Sequence, residues 1–435
     1  MNKRKILYIC DLNLSNGGAQ RVTIETLPQI SKAFDIFLYM PNNPSSDSSK
    51  ILESLEIKVI IDFVMTKEKV RDFIRREKID LVLIQWENPK WILLCHQIWK
   101  EMKFNYTIFL YELPLINTPT KNYFGKWYIH AYFKIPLKTF KNLIRAKQKQ
   151  VSKAMRLNID KIQMKKKQMN NNSFFIRILH NLLNTFEEVK ETQKGLADAT
   201  KIIAMGEASK YYIDRYFGFK NIIEVEHCAS SDIQGVEGML NLELKYDLCF
   251  MAARLEPGKG IFDILEVVYF TKRLLKRDIR IAIMGRFVDP ISKEHFNRKL
   301  KKLKLEANII LMGFVTESQK VITLCSSKIF VYPSRKDIFS ISLANALYCG
   351  VPSVTYDLPF VQQFNEVPLF KIKYKDLKGM SKRIASLINM SDLETEKFQE
   401  LRSSIRSSFT SNFNWDKSSE EQITAINCVL EERNS

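Results

Sequence analysis

Short, almost unbroken apolar runs that alternate with longer amphipathic stretches constrain this chain more than any other feature. The runs lie at 5–11, 35–41, 57–63, 79–85, 106–112 and 201–206, then at 247–253, 279–285, 308–314, 328–333 and 353–357. Their length and continuity suit strands buried on both faces. Such strands pair in parallel, and parallel neighbours need crossover connections, which the amphipathic stretches supply as helices. A chain of 435 residues is too long for one core of this kind. The expected fold is α/β, with two Rossmann-like, doubly wound domains. The polar, non-periodic stretch 228–245, after His227, reads as the linker between them.

The alternation breaks once, in a helical insertion at about 120–195. Residues 121–180 carry fifteen Lys and Arg against the single acid Asp160, so this stretch holds +14 of a formal net charge of +19. Tyr123, Phe124, Trp127, Tyr128, Tyr132 and Phe133 precede the basic run from Lys134 to Lys167. Aromatics beside cations suit a helix at an anionic membrane surface. They equally suit a solvated charged helix packed by its aromatic face. A nucleic-acid groove would be expected to draw cations from several elements, so no nucleic-acid partner is expected.

Cys10, Cys95, Cys228, Cys249, Cys325, Cys349 and Cys428 are scattered with no C-x-x-C pair, and the five histidines form no helix-face zinc pattern. Reduced, mostly buried thiols and no metal are expected. The apolar run after the first residues stops at Asp11, too short for a signal-peptide core, and no run of about 20 apolar residues occurs. The expected location is cytoplasmic, and peripheral at the inner face of the cell membrane if the insertion meets lipid.

In open α/β sheets ligands bind beyond the carboxyl ends of the strands, which directs attention to three loops. After 5–11 comes Asn16-Gly17-Gly18-Ala19-Gln20-Arg21, either an anion-binding turn at a helix N-terminus or a plain tight turn. After 247–253 comes Arg254-Leu255-Glu256-Pro257-Gly258-Lys259-Gly260, whose cations suit a diphosphate or stand simply in solvent. After 328–333 comes Ser334-Arg335-Lys336-Asp337-Ile338-Phe339-Ser340 and a helix at 341–349. Asp337 and Asn345 are eight residues apart and face one ligand if that helix starts near Ser340; a helix cap is the other role for Asp337.

On these residues the chain resembles the GT-B glycosyltransferases of family 4, most strongly over 246–360 and least over 120–195. The resemblance implies two domains facing across a donor-binding cleft. It matches Gly17 and Gly18 to a glycine-rich loop near the donor diphosphate or acceptor, and Arg254 and Lys259 to the cations that neutralise the diphosphate. It matches Gly285 to a strand-tip glycine, and Gly313 and Phe314 to the loop whose backbone reads the nucleobase. The run from Pro333 to Pro352 follows the family's acid frame, with Ser334, Phe339, Ser340 and Ile341 in place. Asp337 stands where a glutamate would hold a donor-sugar hydroxyl, and Asn345 where another would grip the ribose. Glu112, near the end of 106–112, takes the place of a histidine at the reacting carbon; a strand-end carboxylate bonded to backbone amides is its other reading. Phe413-Asn414-Trp415-Asp416 resembles the phrase introducing a closing helix that crosses back to the first domain, with Trp415 as a packing anchor. The implied domains are 1–227, the linker 228–245, 246–408, and a returning helix within 409–435.

The implied reaction is retaining transfer of a sugar from a nucleotide diphosphate sugar to a glycan or lipid-linked acceptor. No D-x-D motif lies in a suitable loop, so cations replace a metal, and Asp337 and Glu112 are the candidate catalytic residues. Asn345 also admits a catalytically silent protein that binds a glycan or a partner glycosyltransferase.

Overall fold

The computed structural model describes residues 3–12, 18–55, 57–85, 89–110, 191–192, 194–216, 219–225, 236–239, 242–287, 289–335 and 337–432. The chain forms two compact units, one of Met1–Pro114 with Leu196–Ser435 and one of Leu115–Gly195. The second unit lies almost wholly outside the described residues, and with it the basic insertion.

The first unit contains two parallel sheets. One comprises β1 (Lys5–Ile9), β2 (Asp35–Met40), β3 (Lys58–Ile61), β4 (Leu81–Gln85), β5 (Tyr106–Leu110), β6 (Lys201–Met205) and β7 (Ile222–Val225), in the order β3-β2-β1-β4-β5-β6-β7. The other comprises β8 (Tyr246–Leu255), β9 (Ile281–Phe287), β10 (Ile309–Gly313), β11 (Ser327–Tyr332), β12 (Ser353–Tyr356) and β13 (Phe370–Ile372), in the order β10-β9-β8-β11-β12-β13. Every run expected as a strand forms one. The unforeseen strands β7 and β13 are short and lie at sheet edges with mostly half-buried residues, so neither needs a long apolar run. In β1, Ile6 and Tyr8 enter one core while Leu7 and Ile9 enter another, so both faces of the sheet are covered.

The connecting helices are α1 (Gly18–Ala33), α2 (Ser46–Glu53), α3 (Lys67–Glu77), α4 (Pro89–Met102), α5 (Glu207–Tyr216), α6 (Val236–Met239), α7 (Ile261–Leu275), α8 (Pro290–Lys302), α9 (Glu317–Cys325), α10 (Ile341–Tyr348), α11 (Leu377–Leu393), α12 (Thr395–Asn412) and α13 (Trp415–Glu431). Each sheet changes winding direction beside its first strand, between β1 and β4 and between β8 and β11. Loops leaving such neighbours diverge to opposite faces and leave a crevice at the carboxyl ends.

The chain end returns to the first sheet. Residues 409–412 still belong to α12, and Phe409 sits in the core of the second sheet. Helix α13 starts at Trp415, with the Asn414 side chain accepting from the Lys417 N–H. Ala425, Ile426, Val429 and Leu430 are buried in the same core as β1 and α1, and the Thr26 hydroxyl donates to Gln422 Oε1 at 3.3 Å. Trp415 packs on that core too.

Where β8 and β11 lie side by side, the loops that follow them touch through backbone. Gly260 has φ +81°, and a Cβ there would stand 2.1 Å from the Pro333 carbonyl oxygen. The Arg335 N–H donates to the Gly258 carbonyl at 2.9 Å, closing the contact.

Three substitutions test this packing. Ile426→Ala should cost about 2–5 kcal/mol, read as a lower urea midpoint by a fluorescence probe on the first sheet. Gly313 has φ +71° but nothing within 4 Å of a Cβ, so Gly313→Ala should cost only the left-handed strain of about 1–2 kcal/mol. Gly260→Ala adds a backbone collision to the same strain and should lower the midpoint substantially more.

Candidate functional site

Asp337 is the centre of the cluster at the β8–β11 crevice. Lys259 Nζ donates to its Oδ2 at 3.0 Å, the Tyr332 hydroxyl at 2.5 Å and the Ser334 hydroxyl at 3.3 Å. All three donors converge on one carboxylate oxygen, and Oδ1 takes no hydrogen bond from any described residue. The side chains of Lys259 and Asp337 are 21% and 11% exposed, so this pair is better shielded from water than an ordinary surface ion pair. Burial, reinforced by the Asp337 charge, pushes the Tyr332 hydroxyl well above the usual tyrosine range, so it remains a donor at ordinary pH.

The loop carrying Asp337 is anchored a second time. The Arg335 guanidinium grips both oxygens of Asp263, in the first turn of α7, with Nε donating at 3.2 Å and a close contact from the second nitrogen. The Tyr356 hydroxyl, at the end of β12, donates to Asp263 Oδ2 at 2.8 Å. Burial, followed by the Asp263 charge, raises the Tyr356 hydroxyl as well. Asp263 is 6% exposed, and a carboxylate so buried persists only with donors of this kind.

The structure corrects several local expectations. Ser340, not Asp337, caps α10: its side chain accepts from the Leu343 N–H at 3.1 Å, which leaves Asp337 outside the helix. Strand β8 runs to Leu255, so Arg254 is an exposed strand residue opposite Arg286 rather than part of a loop. A register shift between Met251 and Arg254 lets the pairing continue that far. Gly285 is inside β9 rather than at its tip, with φ +133°, and a Cβ there would lie 1.8 Å from the Ala252 carbonyl oxygen. Its absent side chain serves the close approach of β8.

Other expected residues are placed as follows. Gly313 ends β10, and Phe314 after it is 66% exposed. Ser334 and Ser340 are buried. Phe339 packs against the cores of both sheets and Ile341 against that of the first, so the acid loop also joins the two halves. Asn345, in the second turn of α10, is 2% exposed, unlike the more open Asp337. Tyr332, Asp263 and Tyr356 were not foreseen as site residues, nor was Arg335 as a partner of Asp263. Asp263 and Tyr356 are 93 residues apart in sequence, so no local pattern reveals their contact.

On the first sheet, Gly18 opens α1, whereas Gly17 and Glu112 lie outside the described residues. Gln85, at the end of β4, accepts the Asp11 N–H on Oε1 at 3.2 Å, and Asp11 Oδ2 accepts from Asn42 at 3.3 Å. The Gln85 Nε2 is buried without a partner among the described residues, a cost of about 1–3 kcal/mol in the absence of water or ligand. Cys10, Cys95, Cys249, Cys325 and Cys349 are buried and unbridged, and Cys428 is exposed. Among the described residues no helix is long and apolar enough to cross a membrane.

Comparison with known proteins agrees with this architecture. Residues 238–402 match the family model for glycosyl transferases group 1, a span that includes the whole Lys259–Asp337 cluster. No curated protein matches the chain in sequence. Among solved structures, a glycosyltransferase from Rickettsia africae ESF-5 superposes with a TM-score of 0.65 at 14% identity, covering 99% of each chain. HepE of Anabaena, in complex with UDP and glucose, gives 0.63 at 12% identity over 98% of this chain and 100% of its own. A Gly-to-Arg point mutant of S. aureus TarM, in complex with Fondaparinux, alpha-GlcNAc-glycerol and UDP, gives 0.61 at 11% identity over 97% and 99%. The chain therefore has the GT-B fold, two Rossmann-like domains, and its second domain carries the group 1 glycosyl transferase match.

Proposed function

We propose that this protein is a nucleotide-sugar-dependent glycosyltransferase whose donor sits in the β8–β11 crevice. The observation that carries this reading is the coordination of Asp337: three donors hold Oδ2, and Oδ1 is left to accept a hydroxyl of the donor sugar. The match of residues 238–402 to glycosyl transferases group 1 and the likeness to a UDP-bound GT-B enzyme support it.

In the proposed reaction the bond between the anomeric carbon and the donor diphosphate breaks, and the acceptor hydroxyl oxygen bonds to that carbon. The hydroxyl proton passes to the departing diphosphate, which leaves as nucleoside diphosphate. Lys259 stabilises the charge that develops on the leaving group. The N-terminus of α7 adds to this, since its N-cap is Gly260 and no side chain caps it. Arg254 approaches from the end of β8. With these cations no metal is required, attack is from the same face with retention, and the acceptor is a glycan or lipid-linked saccharide. Association with an anionic membrane through 121–180, on the cytoplasmic side, completes the proposal.

A second reading, a catalytically silent glycan- or partner-binding protein, draws on Asn345. An amide there binds ribose hydroxyls less strongly than a carboxylate would. Donor hydrolysis separates the two readings, because a silent protein releases no sugar from any donor.

Thermal-shift titration with UDP, GDP and their glucose, galactose, mannose and N-acetylglucosamine conjugates tests the donor site. A ligand at about 100 times its Kd stabilises by about 2.7 kcal/mol. We expect one nucleotide series to raise the melting temperature, with EDTA making no difference. Lys259→Ala should abolish the response to nucleoside diphosphate and nucleotide sugar alike, whereas Asp337→Asn should weaken only the response to the sugar conjugate. No shift with any member of the panel rejects the reading.

A further inference from the structure

Arg335 lies in the acid loop, two residues from Asp337, and its charge is committed away from the crevice. Its guanidinium holds Asp263 of α7 by two nitrogens, and Tyr356 of β12 holds the same carboxylate. Two further contacts join the same segments, the Arg335 N–H to the Gly258 carbonyl and the close approach of Gly260 to Pro333. The backbone contacts fix where the loop crosses, but a crossing point alone leaves the segment free to pivot about it. The guanidinium fork resists that pivot, because a planar, bidentate pair defines an orientation as well as a distance.

We infer that Arg335, Asp263 and Tyr356 form a positioning clamp that aims Asp337 Oδ1 at the sugar of the bound donor. This rests on the reading of the crevice as a nucleotide-sugar site. None of the three need touch the ligand. Lys259 leaves the β8 loop, on the α7 side of the clamp, while Asp337 and Ser334 leave the β11 loop with Arg335 itself. Loosening the clamp should therefore separate the two halves of donor recognition. The diphosphate, held by Lys259 and the N-terminus of α7, should be little affected. The sugar, which depends on the aim of Asp337, should lose affinity.

The test uses the full chain, the nucleotide series that the wild type responds to, and four variants, the last of them Arg335→Lys. Arg335→Ala removes the fork. The double variant D263L/R335M removes the same tie without stranding a buried carboxylate. Tyr356→Phe removes one hydroxyl and is the mildest. Calorimetry gives the affinity for nucleoside diphosphate and for its sugar conjugate, and hydrogen–deuterium exchange follows the peptide over 333–341. We expect Arg335→Ala and the double variant to lose at least tenfold in sugar-conjugate affinity and less than threefold for nucleoside diphosphate. Tyr356→Phe should fall between these and the wild type, and Arg335→Lys, which offers a point charge in place of a fork, should not restore the ratio. Exchange over 333–341 should be faster while the strands β8 and β11 remain protected.

Equal loss for both ligands is what simple destabilisation produces, and it overturns the clamp. An unchanged affinity ratio overturns it too, whatever the exchange rates. A wild type that binds no nucleotide at all overturns the donor-site reading and the aiming role with it, and is recognised because it appears before any variant is made.

Discussion

The backbone contact between Gly260 and the Pro333 carbonyl is the constraint on which the site depends. It arises because β8 and β11 are neighbours in a sheet whose winding reverses between them, so the loops that follow start side by side. Adjacent loops do not have to touch; here the missing Cβ at position 260 lets one backbone settle into the other. Once they touch, Lys259 and Asp337, which are 78 residues apart in sequence, lie within 3.0 Å. The ion pair is thus a consequence of the backbone contact, and the contact a consequence of the sheet order.

Charge is distributed over this joint in an economical way. In the two loops Arg335 is committed to Asp263 and Lys259 to Asp337. The chain has a large positive excess, yet the crevice pairs its innermost cations with acids, and much of the excess is carried by residues 121–180. The crevice thus offers a few oriented groups in place of a diffuse positive surface, an arrangement of defined geometry. Tyr332 and Tyr356 extend this order, since each buried phenol spends its proton on one of the two carboxylates.

The two halves of the chain are joined by more than one covalent crossing. Helix α13 carries the chain end into the core of the first sheet, and Phe339 touches both cores from within the acid loop. Nearby, the Gln363 amide donates to the carbonyls of Ile338 and Phe360 and lies against Gly206 at the start of α5. The segment that bears Asp337 is consequently tied to the packing between the halves as well as to its own sheet.

The parallel, doubly wound architecture was legible in the sequence because strands covered on both faces must be apolar throughout, and β1, β4, β5 and β11 are written that way. The candidate loops were legible too, since glycine, proline and charged residues cluster where strands end. The edge strands β7 and β13 were not, because half-covered strands carry a short signal. The sequence also misplaced Arg254 and Gly285, for a bulge between β8 and β9 extends both strands beyond their apolar runs. The sequence by itself determined which elements form and which residues stand at their ends, since periodicity and turn chemistry act over a few neighbours. The Ser340 cap on the Leu343 N–H is equally local, whereas only the tertiary structure decided that Arg335 belongs to Asp263 and Lys259 to Asp337, because those pairs join segments 72 and 78 residues apart in the chain.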